Sequence, residues 1–154
     1  MGFFMKKCIL SLIMLLSLLA AGVSAEGNEV TVKVNNFVVK SPVPAQIVND
    51  RTVLPMRSVF ESFGARVTWM EDEKIIFATK GNLLITMQID NNVMSVQQIE
   101  NDEIKEIELD TAPFIMDGST MVPVRAVAES LGYNVGWEPE TRTVSISTIA
   151  NEVN

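Results

Sequence analysis

"TVLPMRSVFESFGARVTW", Thr52 to Trp69, returns sixty-eight positions later as "TMVPVRAVAESLGYNVGW", Thr120 to Trp137. Nine of the eighteen aligned positions are identical, where unrelated segments share about one. Duplication is the economical explanation. One copy offers a short helix and a few strands, too little apolar surface to stand alone, so two copies plus the residues between them should pack as one body. Inside each copy the hydrophobic period changes. Pro55 suits a first helical position, where the missing N–H costs nothing. Met56, Val59, Phe60 and Phe63 then fall at i, i+3, i+4 and i+7, the apolar stripe of an amphipathic helix, and Gly64 supplies the left-handed residue that ends it. The second copy has Pro123, the stripe Val124, Val127, Ala128 and Leu131, and the stop at Gly132. After each helix the period drops to two, in "RVTW" and "KIIFAT" and in "NVGW" and "TVSIST".

Outward from these phrases, the chain reads as strands and turns. Val32 and Val34, the pair Asn35-Asn36, then Phe37 and Val39 predict a hairpin that keeps its apolar residues on one side, because Asn tolerates the backbone of a tight turn. Asn49-Asp50 and Asp117-Gly118 are further turn signals. Between the copies, "NLLITMQI", "VMSVQQI" and "IKEIEL" form a meander with turns at Asp90-Asn91-Asn92 and Asn101-Asp102. The predicted fold class is therefore α+β: an antiparallel β-meander wrapping short α-helices, in two pseudo-repeats of hairpin, helix and hairpin over about 30–80 and 92–149. The pattern fits one continuous sheet or two lobes. The scattered methionines Met56, Met70, Met87, Met94, Met116 and Met121 read as core filler.

Before this region, Lys6 and Lys7 precede an apolar run from Ile9 to Ala21, and Val23-Ser24-Ala25 closes it with small residues. That is the pattern of a secretory signal peptide over residues 1–25, cleaved after Ala25. The run is shorter than the roughly 20 residues a membrane span needs. No integral membrane segment is expected after cleavage, and residues 26–154 are expected as one soluble, exported domain. Cys8 has no lipobox before it and should leave with the signal. The remaining 129 residues (154 minus 25) carry 10 basic and 19 acidic side chains, a net charge of −9 (10 minus 19), which repels a phosphate backbone and argues against nucleic acid. There is no histidine and no cysteine after the signal. The usual ligands of zinc, copper and haem are missing, as are the Ser-His-Asp and Cys-His arrangements, so only carboxylate, Lys or Tyr chemistry is left.

The stretches "NDRTVLPMRSVFESFGARVTWMEDEKIIF" from Asn49 and "DGSTMVPVRAVAESLGYNVGWEPETRTVSI" from Asp117 resemble the copper amine oxidase N-terminal-like domain, or stalk domain. The resemblance covers nearly all of the chain after the signal. It implies an antiparallel sheet wrapped around a helix, in a module found mostly in exported and cell-wall proteins of Gram-positive bacteria beside anchoring or enzymatic neighbours. In amine oxidases the copper ligands are histidines and the cofactor is a modified tyrosine, both in a separate catalytic domain; with no His and only Tyr133, this sequence does not carry that site.

The residues that recur invite a functional reading. Arg57 with Glu61 and Arg125 with Glu129 are spaced i, i+4, so each pair can bridge on one helix face. Each Arg either clamps an anionic ligand or braces the helix against the sheet, and bracing is the favoured reading because the planar guanidinium suits backbone carbonyls. Trp69 and Trp137 share sheet faces with Val67 and Val135 and are expected in the core; the alternative makes Trp69, Tyr133 and Trp137 stacking platforms for a sugar. The acidic stretch Glu100, Asp102, Glu103, Glu106, Glu108 and Asp110 could hold calcium weakly, but its alternation with Lys105, Ile107 and Leu109 favours the wet face of a strand. No catalytic residue, metal site or cofactor is assigned. Pro55, Arg57, Glu61, Gly64, Trp69, Pro123, Arg125, Glu129, Gly132 and Trp137 are read as a structural signature. The expected function is a non-catalytic exported structural or interaction module of the bacterial cell envelope, secreted or wall-associated, whose partner is a protein or a cell-wall polymer. A carbohydrate-binding module for peptidoglycan or wall polymer is the alternative, and a carboxylate hydrolase ranks third.

Overall fold

The computed structural model describes residues 29–149, so the expected signal peptide lies outside the described residues. The fold is α+β, mostly antiparallel sheet with two short helices. Its centre is a pair of two-residue hairpins. Strands β3 (Gln46–Val48) and β4 (Arg51–Pro55) join through Asn49 and Asp50, both at positive φ. Strands β10 (Phe114–Met116) and β11 (Ser119–Pro123) join through Asp117 and Gly118, likewise at positive φ, the backbone that twists a tight hairpin correctly. The two hairpins form one four-stranded sheet because β4 and β11 pair antiparallel, with Leu54 opposite Val122 at the midpoint, Val53 opposite Pro123 and Pro55 opposite Met121.

Each central strand runs straight into a seven-residue helix, α1 (Met56–Ser62) after β4 and α2 (Val124–Ser130) after β11. Pro55 and Pro123 stand one position earlier than the sequence suggested. They are extended N-cap residues that finish the strands, not first helical residues. The register gives the reason. Counting from the hairpin turn, the N–H direction of residue 55 faces β3, which has already ended, so no ladder bond is lost at the proline. Two turns are too few for an isolated helix. Burial holds them: Met56, Val59, Phe60 and Phe63 are all buried, as are Val124, Val127 and Ala128. After α1, Gly64 at φ +71° lets its own N–H reach the Glu61 carbonyl and the Ala65 N–H reach that of Phe60, a Schellman closure; Gly132 has φ +80° in the same place after α2.

Two further sheets wrap this centre. One has the order β5 (Arg66–Met70), β6 (Ile75–Lys80), β7 (Leu83–Gln88), β8 (Val93–Gln98) and β9 (Glu103–Glu108), an antiparallel meander. The other has the order β12 (Tyr133–Glu138), β13 (Thr143–Thr148), β1 (Thr31–Val34) and β2 (Phe37–Val38). Here β1 and β13 pair in parallel, which the reading of an all-antiparallel meander missed. Parallel partners are far apart in sequence and leave no turn signal to read. The hairpin at Asn35-Asn36 forms, and Phe37 is 79 % exposed. It shares a sheet face with Val34, yet sits on the outer edge of a two-residue strand.

From β3 to β6 and from β10 to β13, corresponding elements lie 68 positions apart (114 minus 46). One main core draws from all three sheets and both helices: Val32, Leu54, Phe60, Ile76, Met94, Val122, Val127 and Ile146 belong to it. The described residues therefore form neither a continuous sheet nor two lobes. Met87, Met94 and Met121 are fully buried, whereas Met70 is exposed. Each large side chain so buried contributes about 1.5–3 kcal/mol. Phe60→Ala is expected to lower unfolding free energy by about 3–5 kcal/mol, read by urea denaturation. A loss below about 1 kcal/mol would mean that the helix stripe does not anchor the sheets.

Candidate functional site

A groove of about 770 Å³ opens beside α2, between the end of β9, the turn joining β3 to β4, and β12. Its apolar lining includes Ile47, Ile107, Val124, Ala126, Val135 and Trp137. Ile47 and Trp137 are 41 % and 40 % exposed, so the apolar surface is open. Ionic groups form its polar part. Arg51 Nε meets Asp110 Oδ2 at 2.6 Å, tying the β3–β4 turn to the chain beyond β9. Arg125 Nη1 meets Glu129 Oε1 at 3.4 Å and donates to the Val135 carbonyl at 3.3 Å.

Among the described residues, the two walls of the groove are strand edges without a hydrogen-bonded neighbour, since β9 ends one sheet and β12 begins another. Which backbone groups they present follows from alternation in an antiparallel ladder. Leu109 donates to the Asn92 carbonyl at 2.6 Å, so Ile107, Lys105 and Glu103 also point to β8, and Ile104, Glu106 and Glu108 point outward. On β12, the bond from Arg125 marks Val135 as an outward position. That edge is thus capped by a guanidinium, and among the described residues no side chain caps the β9 edge.

The sequence-derived candidates are spread over the molecule. Arg125 and Glu129 border the groove. Arg57 and Glu61 lie on the other helix at 3.7 Å, more than half exposed. The pair on α2 reaches a strand; among the described bonds of Arg57, none goes to a carbonyl. Trp69 packs partly buried against the core and its indole N–H donates to the Glu71 carboxylate. Tyr133 stacks on Phe63 at 4.6 Å between ring centroids, with the Lys80 ammonium 4.4 Å from its own ring centre and donating to its hydroxyl. Of the three aromatic candidates, Trp137 alone lines the groove, and with 40 % exposure it departs from the core position expected of it. Pro55, Gly64, Pro123 and Gly132 are backbone punctuation, as described above.

The acidic stretch is β9 with its flanking turns; Glu106 and Glu108 share one face of the strand and Glu103 projects to the other. Among the described residues no three of His, Cys, Asp and Glu converge as metal ligands. The ion pair of Arg51 with Asp110 and the open edge of β9 escaped sequence reading. The signal available was positional: β9 is the last strand of the meander, and a chain leaving a sheet through Thr111-Ala112-Pro113 leaves an edge behind.

A three-sheet body built on two pinned hairpins, with a groove beside the second helix, defines the class: a β-rich α+β domain. The family model of the copper amine oxidase N-terminal domain matches residues 33–146, and the chain belongs to that family. The N-terminal domain of copper amine oxidases is non-catalytic. No curated protein matches the chain. Copper(II) sites draw on imidazole, the sequence has no histidine, and the described carboxylates do not converge, so these residues do not fit a copper centre. Arg125→Ala should cost about 1 kcal/mol through the lost carbonyl bond, and Arg57→Ala at most about 0.5 kcal/mol as an exposed helical pair. Paired denaturation curves check this, and equal losses would show that the contact to Val135 contributes nothing.

Proposed function

We propose that this chain is an exported, non-catalytic interaction module of the cell envelope, made of two pseudo-repeats and holding its partner in the groove beside α2. One observation carries the reading: the groove combines open apolar surface, at Ile47 and Trp137, with the uncapped edge of β9. Isolated exposed apolar side chains are ordinary, but apolar surface set beside a free strand edge is a recognition surface. Family membership supports an accessory role, and the Lys6-Lys7 leader with its apolar run supports export. The alternative, a carbohydrate module, is favoured by Trp137, whose indole is large enough to stack on a sugar ring and partly open to solvent. Against it, Tyr133 and Trp69 are engaged with other side chains.

Expression of the full chain in a Gram-positive host should yield protein beginning at Glu26 in the medium or wall fraction. Intact protein retained in the cytoplasm would overturn the exported role. Co-sedimentation with purified peptidoglycan at physiological salt decides between partners: the protein is expected in the supernatant, and saturable retention lost in Trp137→Ala would establish the carbohydrate alternative.

A further inference from the structure

Resting on that reading, we propose that the partner is an extended peptide segment that adds to the edge of β9 as a further strand, with aliphatic and basic side chains in alternation. Ile104, Glu106 and Glu108 direct their N–H and C=O groups away from β8, giving three donor–acceptor pairs at two-residue spacing. That is the hydrogen-bonding template of strand addition.

The side chains of β9 specify what may pair with it. Lys105 and Ile107 lie opposite Val96 and Met94, both buried, so this face of the strand is the inner one. Ile104, Glu106 and Glu108 occupy the outer face. An added strand inherits the same alternation. Its inward residues meet Ile47 and Trp137 across the groove and must be apolar. Its outward residues stand beside Glu106 and Glu108 and should be basic.

Charge supports the same occupant. Five acidic and three basic side chains line the groove. Asp110 and Glu129 are already paired with Arg51 and Arg125, which leaves Asp50, Glu106 and Glu108 against Lys105. A second copy of the chain is the wrong partner for this edge. Two β9 strands paired antiparallel through their outward residues would place Glu106 opposite its own copy with Glu108 on either side, and each chain already carries a formal charge of −7. The β12 edge offers less, because Arg125 holds its Val135 carbonyl.

The test uses the chain lacking residues 1–25 and a capped heptapeptide alternating valine with lysine, with a valine–glutamate heptapeptide as control. The basic peptide should bind saturably and slow amide hydrogen exchange at Ile104, Glu106 and Glu108. The acidic peptide should not. Glu106→Ala removes the charge and keeps the backbone donor, whereas Glu106→Pro removes both and leaves the ladder to β8 intact, since that N–H points outward. Glu106→Pro should weaken binding at least about tenfold beyond Glu106→Ala. Equal affinity of the two variants, or binding of both peptides alike, would overturn strand addition. If Glu106→Pro does not fold, the exchange measurement on the unmodified sequence decides, and binding without protection of those three amides overturns the proposal. Peptidoglycan fragments that shift groove resonances while the basic peptide does not would overturn it too, with the interaction-module reading left standing.

Discussion

The antiparallel contact of Leu54 with Val122 fixes the geometry of everything else. Residue 122 is the counterpart of residue 54 in the recurring phrase, so the phrase pairs with itself, and the register is two-fold about that one pair. Both residues are essentially solvent-free. A self-complementary pairing has a consequence for chain economy. It sends the two strands out of the contact in opposite directions, and each enters its helix without a loop because the proline fixes the turn. The helices deliver their apolar stripes to one core from opposite ends. Neither helix is long enough to hold itself together, so their order derives from that core and from the glycine closure behind them.

Symmetry ends where the flanking sheets recruit a third strand. Beyond β6 the chain turns back through Gly81 and adds β7, β8 and β9, each six residues long. Beyond β13 the partner is β1, from the opposite end of the chain, running parallel, followed by a strand of only two residues. The short β1–β2 hairpin lies over the outer face of α1, where Ser58 donates to Ser41 at 3.2 Å and the remaining space is about 420 Å³. The long β9 stands off α2 and leaves about 770 Å³. The molecule is locally two-fold at its centre and one-sided at its surface.

What could be read from the sequence followed the range of the interactions. Asn35-Asn36, Asn49-Asp50 and Asp117-Gly118 are turns because their own backbone demands positive φ, and the two helical stripes are visible because i+3 and i+4 contacts are local. The parallel pairing of β1 with β13, the exposure of Phe37 and the partial exposure of Trp137 depend on which strand lies beside which. No window of the sequence records that. Trp137 shows the limit most clearly. It occupies the place of Trp69 in the phrase, yet Trp69 is packed against the core and Trp137 borders the groove. The Val-x-Trp alternation is the same in both copies, and the neighbouring strands differ.

The candidate site follows from how each sheet edge is managed. Exposed edges invite unwanted pairing, and proteins answer with short strands, charges or caps. Here β2 is short, β12 has a carbonyl held by Arg125, and β9 carries charges on both faces. Length and capping refuse every partner. Charge refuses only partners of the same sign, and on β9 it refuses another copy of this acidic chain. A strand protected only by its sign is selective, not closed, and β9 is the strand that stands beside the open apolar surface at Ile47 and Trp137.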